Sequence, residues 1–333
     1  MKILVTGASG FVGRALVAQL ERVESLSVRA AVRRVPTDGP HGADTVQVGD
    51  LGAATDWRAA LRDCDVVVHA AARVHAMQET ASDPLALYRA VNLDGTLALA
   101  QQAADAGARR FVFLSTIKVN GEATQPGRPF RWDDVPAPRD PYGISKAEAE
   151  DALRTFAVRS GLEVVIIRPV LVYGPGVKAN FRTMLRWVQR GVPLPLGRAA
   201  NRRSLVALEN LTDLIRCSVT HPAAADRTFL VSDGEDLSTA DLLRRSARAM
   251  GRSARLVSLP TSVLHTAARL VGRGALADRL LGTLQVDIAD TRRRLGWAPV
   301  ISVDEALRRT VASLVTLVTL VALVTLVAPA AGA

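Results

Sequence analysis

A tyrosine and a lysine four positions apart are the residues of this chain best suited to chemistry. Tyr142 and Lys146 belong to the segment Asp-Pro-Tyr-Gly-Ile-Ser-Lys. On an α-helix, residues i and i+4 share a face, so the phenol and the ammonium group can enter one pocket. A nearby cation lowers the pKa of a phenol. We therefore expect Tyr142 to transfer a proton near neutral pH.

A glycine-rich segment near the N-terminus indicates the second component of the chemistry, a bound dinucleotide. The segment follows a short apolar stretch and contains Gly7, Gly10, Phe11, Val12 and Gly13. Glycines without side chains let the backbone turn tightly and approach a pyrophosphate at the start of a helix. A dinucleotide site combined with the Tyr–Lys pair predicts hydride transfer at an alcohol or a carbonyl group.

The residues after the second predicted strand bear on which dinucleotide binds. An NAD site normally has an acidic residue about 20 positions beyond the glycines, but here that position holds Arg33, next to Arg34. A guanidinium group suits the 2′-phosphate of NADP and cannot accept hydrogen bonds from ribose hydroxyls. The sequence therefore favours NADP, with NAD as the alternative. Asp50 and Leu51, after the third predicted strand, are expected to flank the adenine.

Strands and helices alternate over the first 170 residues, which predicts the α/β class with a doubly wound parallel (Rossmann) sheet. After Arg168-Pro the chain becomes rich in turns and then mostly helical, which indicates a smaller C-terminal substrate lobe. The predicted dinucleotide-binding domain covers 1–172 and about 205–232; the lobe covers 173–204 and 233–310. The predicted strands are Lys2–Val5, Val28–Val32, Thr45–Val48, Val66–Ala70, Arg110–Leu114 and Glu163–Ile167. The predicted helices are Phe11–Glu21, Leu85–Gly107, Pro141–Ser160 and Asn180–Arg190.

Composition narrows the classes of partner. The 333 residues contain only two cysteines and carry a net charge of +10. Two distant cysteines without metal-ligand spacing indicate neither a disulfide framework nor a metal site, so a cytoplasmic location is expected. The arginines are spread along the chain and aromatic residues make up only 4%, which argues against nucleic acid as the main partner. An anionic nucleotide substrate accounts for the positive charge more simply.

The last stretch of the chain, residues 311–333, forms a hydrophobic tail. Residues 311–328 contain no charged side chain and repeat Leu-Val-Thr-Leu-Val, with Arg308 and Arg309 just before them. Eighteen helical residues span about 27 Å, the lower limit for crossing a bilayer. Two interpretations stay open: an extension that lies on the protein's own core, which we favour, and a C-terminal membrane anchor.

On these motifs the chain resembles an extended short-chain dehydrogenase/reductase of the nucleotide-sugar epimerase/dehydratase family. The resemblance covers residues 1 to about 310. Segments 115–122, 172–181 and 193–197 resemble the branch that acts on UDP-N-acetylhexosamines in surface-polysaccharide synthesis. The resemblance implies a UDP-sugar substrate, a nucleotide-sugar-binding role for the C-terminal lobe, and a homodimer.

The resemblance also implies a role at each matching position. Thr116 would hydrogen-bond the reacting sugar oxygen, Tyr142 would act as acid and base, and Lys146 would anchor the nicotinamide ribose. The matching cofactor positions are Ala70, Ala71, Ala72 and Asn92, the last of which would support the surroundings of the lysine. The matching substrate positions are Asn180 and Arg203 for the diphosphate, and Leu194 to Leu196 for the uracil.

The resemblance leaves three functions open. We favour reduction of a C4 ketone on a UDP-linked 6-deoxy-N-acetylhexosamine, with 4-epimerisation of a UDP-sugar as the alternative. A non-catalytic NADP-binding sensor is the alternative from another class. Dehydration is disfavoured, because the two acidic residues that dehydratases carry after the threonine are replaced by Ile117 and Lys118.

Overall fold

Apolar segments of four to seven residues form the predicted parallel sheet. The computed structural model describes residues 1–35, 44–74, 83–270, 272 and 274–314. Its strands are β1 (Lys2–Thr6), β2 (Ser27–Val32), β3 (Asp44–Gln47), β4 (Val66–His69), β5 (Arg110–Leu114), β6 (Glu163–Pro169), β7 (Leu171–Tyr173), β8 (Arg203–Ala207), β9 (Arg227–Val231) and β10 (Asp236–Leu237). Seven of them pair in the order β3-β2-β1-β4-β5-β6-β9, and every pair is parallel. The predicted fold class is confirmed.

Helices cover this sheet because parallel strands need crossover connections. They are α1 (Phe11–Leu20), α2 (Arg58–Leu61), α3 (Pro84–Arg89), α4 (Gly95–Asp105), α5 (Pro141–Ser160), α6 (Ala179–Gln189), α7 (Leu208–Thr220), α8 (Thr239–Ala249), α9 (Thr261–Leu270), α10 (Gly274–Leu281) and α11 (Ala289–Leu295). A core of Trp57, Leu99, Phe111 and Phe113 lies between the sheet and the helices, together with Leu153 of α5. This packing fixes α5 against the strands that end at the site.

The helix predicted over Leu85–Gly107 is interrupted. A π-helical turn, Ala90–Asp94, separates α3 from α4 and contains Asn92. Such a turn inserts one residue into the helical repeat and is frequent at functional sites. The sequence pattern did not predict it, because a single inserted residue leaves the apolar periodicity almost unchanged.

The chain divides into two compact units. The first is Met1–Val170, Asn210–Ser232 and Leu284–Val300; the second is Leu171–Glu209, Asp233–Thr283 and Ile301–Ala333. Residues 284–300, which the sequence assigned to the substrate lobe, lie in the first unit. The reason is a backbone pairing, in which Phe130 N–H donates to the Gln285 carbonyl and Asp287 N–H to the Phe130 carbonyl, both at 2.8 Å.

The second unit has a small sheet of its own. Strand β8 pairs with β7 in parallel and with β10 antiparallel. Its core contains Tyr173, Leu185 and Leu307, with Leu314 near the end of the described chain. The sequence pattern missed β7 and β10 because they are only three and two residues long.

Among the described residues, none of the helices combines the length and the apolar composition that a membrane-spanning segment requires.

Candidate active site

Helix α5 begins where the sequence predicted and positions the Tyr–Lys pair. The Asp140 carboxylate accepts a hydrogen bond from Gly143 N–H at 2.7 Å, and Pro141 occupies the first turn. Both features favour a helix start at this point. Tyr142 therefore lies in the first turn of α5, and Lys146 follows one turn later on the same face.

Lys146 is a buried basic residue of α5. Its side chain is 1% exposed, and its Nζ atom lies 3.8 Å from the centre of the Phe113 ring. Among the described residues, no hydrogen-bond acceptor lies within reach of this atom. Burial lowers the pKa of Lys146 to about 7, and the Glu150 carboxylate one turn further along α5 opposes that shift. A buried donor of this kind points to an acceptor supplied by a ligand.

The predicted effect of Lys146 on the phenol is wrong for this arrangement. Burial raises the pKa of Tyr142 above its ordinary value, and the negative charge of Asp140 and the neighbouring Tyr88 phenol raise it further. The Tyr88 ring stands edge-on to the Tyr142 ring, with 6.2 Å between the ring centres. The cost of burying a phenolate therefore exceeds any benefit from the ammonium group, and Tyr142 is a protonated phenol, suited to donating.

Burial of the charged Lys146 side chain is expected to lower the free energy of unfolding. The unfolded chain binds more protons than the folded chain between pH about 7 and the ordinary lysine pKa of 10.5. Stability should therefore rise with pH across this window. Lys146→Met should remove the rise and increase the free energy of unfolding at pH 7 by on the order of a few kcal/mol. Urea unfolding of dinucleotide-free protein at several pH values measures both effects. The exposed Lys178→Met is the control, and an unchanged pH dependence in Lys146→Met would refute the prediction.

Thr116 lies two residues after the end of β5. It is 9% exposed and extended, and its hydroxyl accepts a hydrogen bond from Lys118 N–H at 3.3 Å, which starts a short 3₁₀ turn. The carboxyl ends of β5 and of the neighbouring parallel strands meet at one edge of the sheet, where ligands bind in such folds. Thr116 therefore lies at the same sheet edge as the glycine turn after β1.

A buried ion pair, which the sequence analysis missed, holds the strand end beside Thr116. The Glu150 carboxylate accepts hydrogen bonds from the Arg168 guanidinium at 2.6 and 2.9 Å, and both side chains are at most 2% exposed. Ser115 Oγ donates to the same carboxylate at 2.5 Å. Arg168 also donates to Asn120 Oδ1 at 2.9 Å. The pair thus ties β5, β6 and α5 together. Sequence pattern alone gives no signal for it, because the partners are 18 positions apart on different elements.

The glycine turn has the geometry of a pyrophosphate cradle. Gly7 has φ +65°, and a Cβ atom there would lie 2.8 Å from the backbone nitrogen of Ala71. A Cβ atom on Gly13 would lie 2.1 Å from the Gly7 carbonyl oxygen. Helix α1 begins after Gly10 without a side-chain cap, so its first N–H groups face outward. The turn and the Lys146 ammonium group therefore both fit NAD(P): one suits the pyrophosphate, the other a ribose hydroxyl.

His69 links two hydroxyl groups. Thr96 Oγ1 donates to the Asn92 carbonyl at 2.8 Å, so it accepts a hydrogen bond from His69 Nε2–H at 3.0 Å. His69 Nδ1 is then an acceptor, and Thr6 Oγ1 donates to it at 2.7 Å. The same Thr6 oxygen accepts from Ala71 N–H at 3.2 Å. Burial lowers the pKa of His69 to about 3, with the Lys146 charge as a second cause. A neutral imidazole therefore connects the glycine turn to the π-helical turn.

Asn92 connects that turn to the catalytic helix. Its amide accepts from Arg73 N–H at 2.8 Å and donates to the Arg73 carbonyl at 3.1 Å, which holds the segment Ala70–Arg73 in place. The same amide donates to Ser145 Oγ at 3.0 Å, and Ser145 lies next to Lys146. The structure thus brings Ala70, Ala71, Ala72 and Asn92 close to the glycine turn and to α5. The sequence analysis missed Thr6, Thr96 and Ser145 as members of this network.

The remaining predicted cofactor residues lie at the surface. The Arg33 guanidinium is 3.6 Å from the Asp50 carboxylate, and both side chains are more than 70% exposed. Leu51 packs at the margin of the main core. The structure therefore brings Arg33 and Asp50 together, at the end of β2 where an adenosine ribose would lie in this type of fold.

The predicted substrate residues belong to the second unit. Asn180 lies in the first turn of α6, after Ala179, whose φ of +53° is unusual for a residue with a side chain. Arg203 starts β8 and donates to the Gly282 carbonyl at 3.2 Å, and burial lowers its pKa. Leu194 is buried in a core with Val188, and Leu196 packs beside it.

Comparison with known proteins shows which family this chain belongs to. The model of the NAD dependent epimerase/dehydratase family matches residues 3–232. The chain belongs to this family. It is 46% identical over 316 residues to a UDP-glucose 4-epimerase of Vibrio cholerae, covering 94% of this chain and 95% of that protein. The resemblance stated from the motifs is thereby confirmed, and the chain is an enzyme of the extended short-chain dehydrogenase/reductase group.

Solved structures share the fold of this family member at low sequence identity. One is a UDP-glucuronic acid 4-epimerase from Bacillus cereus in complex with NAD, with a TM-score of 0.76, 20% identity, and coverage of 95% of this chain and 99% of that one. Another is RMD from Pseudomonas aeruginosa complexed with NADPH, with a TM-score of 0.70, 22% identity, and coverage of 95% and 99%. Both dinucleotides therefore occur on this fold.

Proposed function

We propose that this enzyme interconverts the C4 epimers of a UDP-linked hexose or N-acetylhexosamine with a bound NAD(P). The observation that carries the proposal is the buried ammonium group of Lys146 beside Tyr142, in a chain 46% identical to a UDP-glucose 4-epimerase along 94% of its length. That identity supports epimerisation over the C4-ketone reduction favoured from the sequence. The intact Thr–Tyr–Lys set gives no support to a non-catalytic sensor.

In the proposed epimerisation, Tyr142, Thr116 and Lys146 of the first unit have different roles. The glycine turn and Lys146 would hold the dinucleotide, which would supply reversible hydride transfer at C4 of the sugar. Because Tyr142 is protonated in the dinucleotide-free chain, it would first lose its proton to water; the phenolate would then accept the C4 hydroxyl proton as the ketone forms and return it on the second step. Thr116 shares a hydrogen bond with the same oxygen. Lys146 donates to a ribose hydroxyl, which orients the dinucleotide, and its charge favours the phenolate during transfer.

Dehydration of the sugar is not part of this proposal. Loss of water from the sugar would need two groups at the positions that follow Thr116: an acid that protonates the C6 hydroxyl and a base that removes the C5 proton. Ile117 is buried there and cannot transfer protons. The Lys118 ammonium group pairs with Asp140 and, at 3.7 Å, with Glu122. The pair with Asp140 ties this ammonium group to the start of α5.

Substrate binding is proposed for the second unit. Asn180 and the partly buried Arg203 suit a diphosphate, since an arginine held at the start of a strand offers several donors to phosphate oxygens. Leu194 is fixed in the core and supports the segment that carries Leu196, which we expect to contact the uracil. The homodimer implied by the family resemblance also remains a proposal.

Reduction of a UDP-4-keto-6-deoxy-N-acetylhexosamine is the second candidate, because a specific observation favours it. Arg33 and Arg34 follow β2, where NAD sites place an acidic residue. An enzyme that consumes NADPH stoichiometrically needs to select it from solution, whereas an epimerase recycles one bound dinucleotide. The arginines are also the basis for proposing NADP over NAD as the preferred cofactor.

The cofactor preference can be measured directly. Arg33→Ser should weaken NADP binding by about tenfold or more, because a charged hydrogen bond to the 2′-phosphate is lost, while NAD affinity stays within about twofold. Dissociation constants from fluorescence titration give both numbers. Arg58→Ser, which removes another exposed arginine paired with an aspartate, is the control. Equal losses for NAD and NADP would contradict the NADP preference.

The proposed reaction is tested on the purified full chain. UDP-glucose and UDP-N-acetylglucosamine are each incubated without added dinucleotide, and the C4 epimer is measured by chromatography. A parallel reaction follows NADPH oxidation with UDP-4-keto-6-deoxy-N-acetylglucosamine. Formation of an epimer without net oxidation supports epimerisation; NADPH oxidation without epimer formation assigns the reductase instead.

The membrane anchor, which is the less favoured interpretation of residues 311–328, also stays a proposal. Residues 315–333 lie outside the described residues, whereas Val311 and Leu314 are buried in the second unit. A chain ending at residue 314 would keep these two contacts and remove the rest of the tail. If the tail is an anchor, the full chain should stay with membranes after cell lysis and a wash in about 0.5 M salt, which screens charge contacts, and the shortened chain should not. Identical behaviour of the two would exclude the anchor.

A further inference from the structure

The positive charge of this protein is concentrated in its second unit. That unit contains 17 lysines or arginines against eight acidic residues, whereas the first contains 25 against 24. Within the second unit, residues 174–208 and 242–277 together hold 14 basic residues and no acidic residue. A UDP-sugar diphosphate needs only about two or three cations to bind it. Substrate binding therefore does not account for most of this charge.

Two parts of these acid-free stretches form one surface. Residues 186–192 and 252–259, here named the basic face, are joined by the backbone of Leu194, which donates to the Arg255 carbonyl at 2.9 Å and accepts from Val257 N–H at 2.8 Å. The Arg252 guanidinium also donates to the Gln189 carbonyl at 2.8 Å. The basic face is thus a continuous part of the second unit.

Four arginines on the basic face are exposed: Arg186, Arg190, Arg252 and Arg255. In the described part of the chain, none of them has a carboxylate partner. Some other arginines of the unit do have such a partner; Arg244, for example, pairs with Asp241 at 3.0 Å. The charge of these four side chains is therefore not neutralised by a carboxylate, although Arg252 also donates to the Gln189 carbonyl, and it is available to an external anion.

Large apolar side chains are exposed between these arginines: Trp187, Val192, Val257 and Leu259. The opposite side of α6 packs inward through Phe181, Leu185 and Val188. Helix α9, which follows the basic face, contains no buried residue and exposes Val263 and Leu270. The apolar residues of this region are thus available to a partner rather than to the protein's own core.

We propose that the basic face docks the enzyme on the surface of an anionic lipid bilayer. Arginines among an exposed tryptophan and aliphatic side chains match the interface of a bilayer, where the charged groups contact headgroups and the apolar groups enter the acyl boundary. A nucleic acid would use the arginines but leave Val192, Val257 and Leu259 without apolar contacts. A second copy of the chain would bring four more unpaired arginines against the first four, which charge repulsion opposes. The proposal does not depend on the sugar reaction.

The test uses the full chain and lipid vesicles separated by flotation. Vesicles of phosphatidylcholine with roughly 30% phosphatidylglycerol should bind the protein in about 0.1 M salt and release it in about 0.5 M salt, while pure phosphatidylcholine vesicles should not bind it. The variant carrying Arg186→Gln, Arg190→Gln, Arg252→Gln and Arg255→Gln should bind anionic vesicles at least about a hundredfold more weakly. Trp187→Ala alone should weaken binding severalfold.

The matched control replaces four exposed arginines of the first unit by glutamine: Arg22, Arg62, Arg128 and Arg159. It lowers the net charge equally and should bind vesicles within about threefold of the original chain. Equal loss in both quadruple variants would overturn the proposal, since net charge alone would then explain binding. Binding to neutral vesicles that survives the four basic-face substitutions would assign the contact to the tail. Tighter binding of a short DNA duplex than of anionic vesicles would also overturn it. Thermal unfolding confirms that each variant is folded.

Discussion

Tyr142→Phe is expected to lower kcat by about 10²- to 10⁴-fold, because a phenylalanine ring cannot exchange a proton with the C4 oxygen. Binding of NAD(P) and of the UDP-sugar should remain within about twofold, since the ring is kept. Steady-state rates and titrations on the same preparation separate these effects. The expected pattern is a loss confined to kcat.

A second phenol provides the control for this variant. The Tyr88 ring is buried and stands edge-on to the half-buried Tyr142 ring, with 6.2 Å between the ring centres. Tyr88→Phe removes a hydroxyl group from the same pocket without removing the proposed acid and base, and should change kcat by less than about threefold. If Tyr142→Phe keeps full activity, or if Tyr88→Phe is equally impaired, Tyr142 is not the proton-transfer group.

The largest expected effect on stability comes from Glu150. Glu150→Ala leaves the Arg168 guanidinium, which is 2% exposed, without its carboxylate partner. Removing one partner of a buried ion pair costs about 3–5 kcal/mol, because the remaining charge stays desolvated. Urea unfolding should therefore show a loss of this size. Ser115 would lose its acceptor too, so the strand end before Thr116 should loosen and kcat should fall.

The same helix contains the matched control. Glu148 pairs with Arg89 at 2.5 Å, but the two side chains are 31% and 45% exposed. An exposed pair contributes no more than about 1 kcal/mol, so Glu148→Ala should be nearly neutral. Similar losses in Glu148→Ala and Glu150→Ala would show that burial of the pair does not determine its contribution.

The sequence predicted the first unit well because its signals are local. The glycine turn, the apolar strands and the start of α5 at Pro141 each depend on residues within a few positions of one another. The alternation of strands and helices then leaves few ways to arrange the sheet. The predicted order of elements therefore follows from local pattern and general rules of connection.

The features that sequence reasoning missed depend on contacts between distant positions. The bonds of His69 to Thr6 and Thr96 join residues 63 and 27 positions away. The shift of the Tyr142 pKa depends on how deeply the ring is buried, which spacing along a helix does not encode. Residues 284–300 joined the first unit through a backbone pairing with Phe130 that no local signal marks.

The most direct test of the proposed reaction is the fate of the hydrogen at C4. UDP-glucose deuterated at C4 is incubated with the full chain in ordinary water, without added dinucleotide, and the isolated C4 epimer is analysed by mass spectrometry. If Tyr142 moves only the hydroxyl proton while the carbon-bound hydrogen leaves and returns within the site, the epimer retains the deuterium. An epimer that has lost the deuterium to solvent would contradict this mechanism.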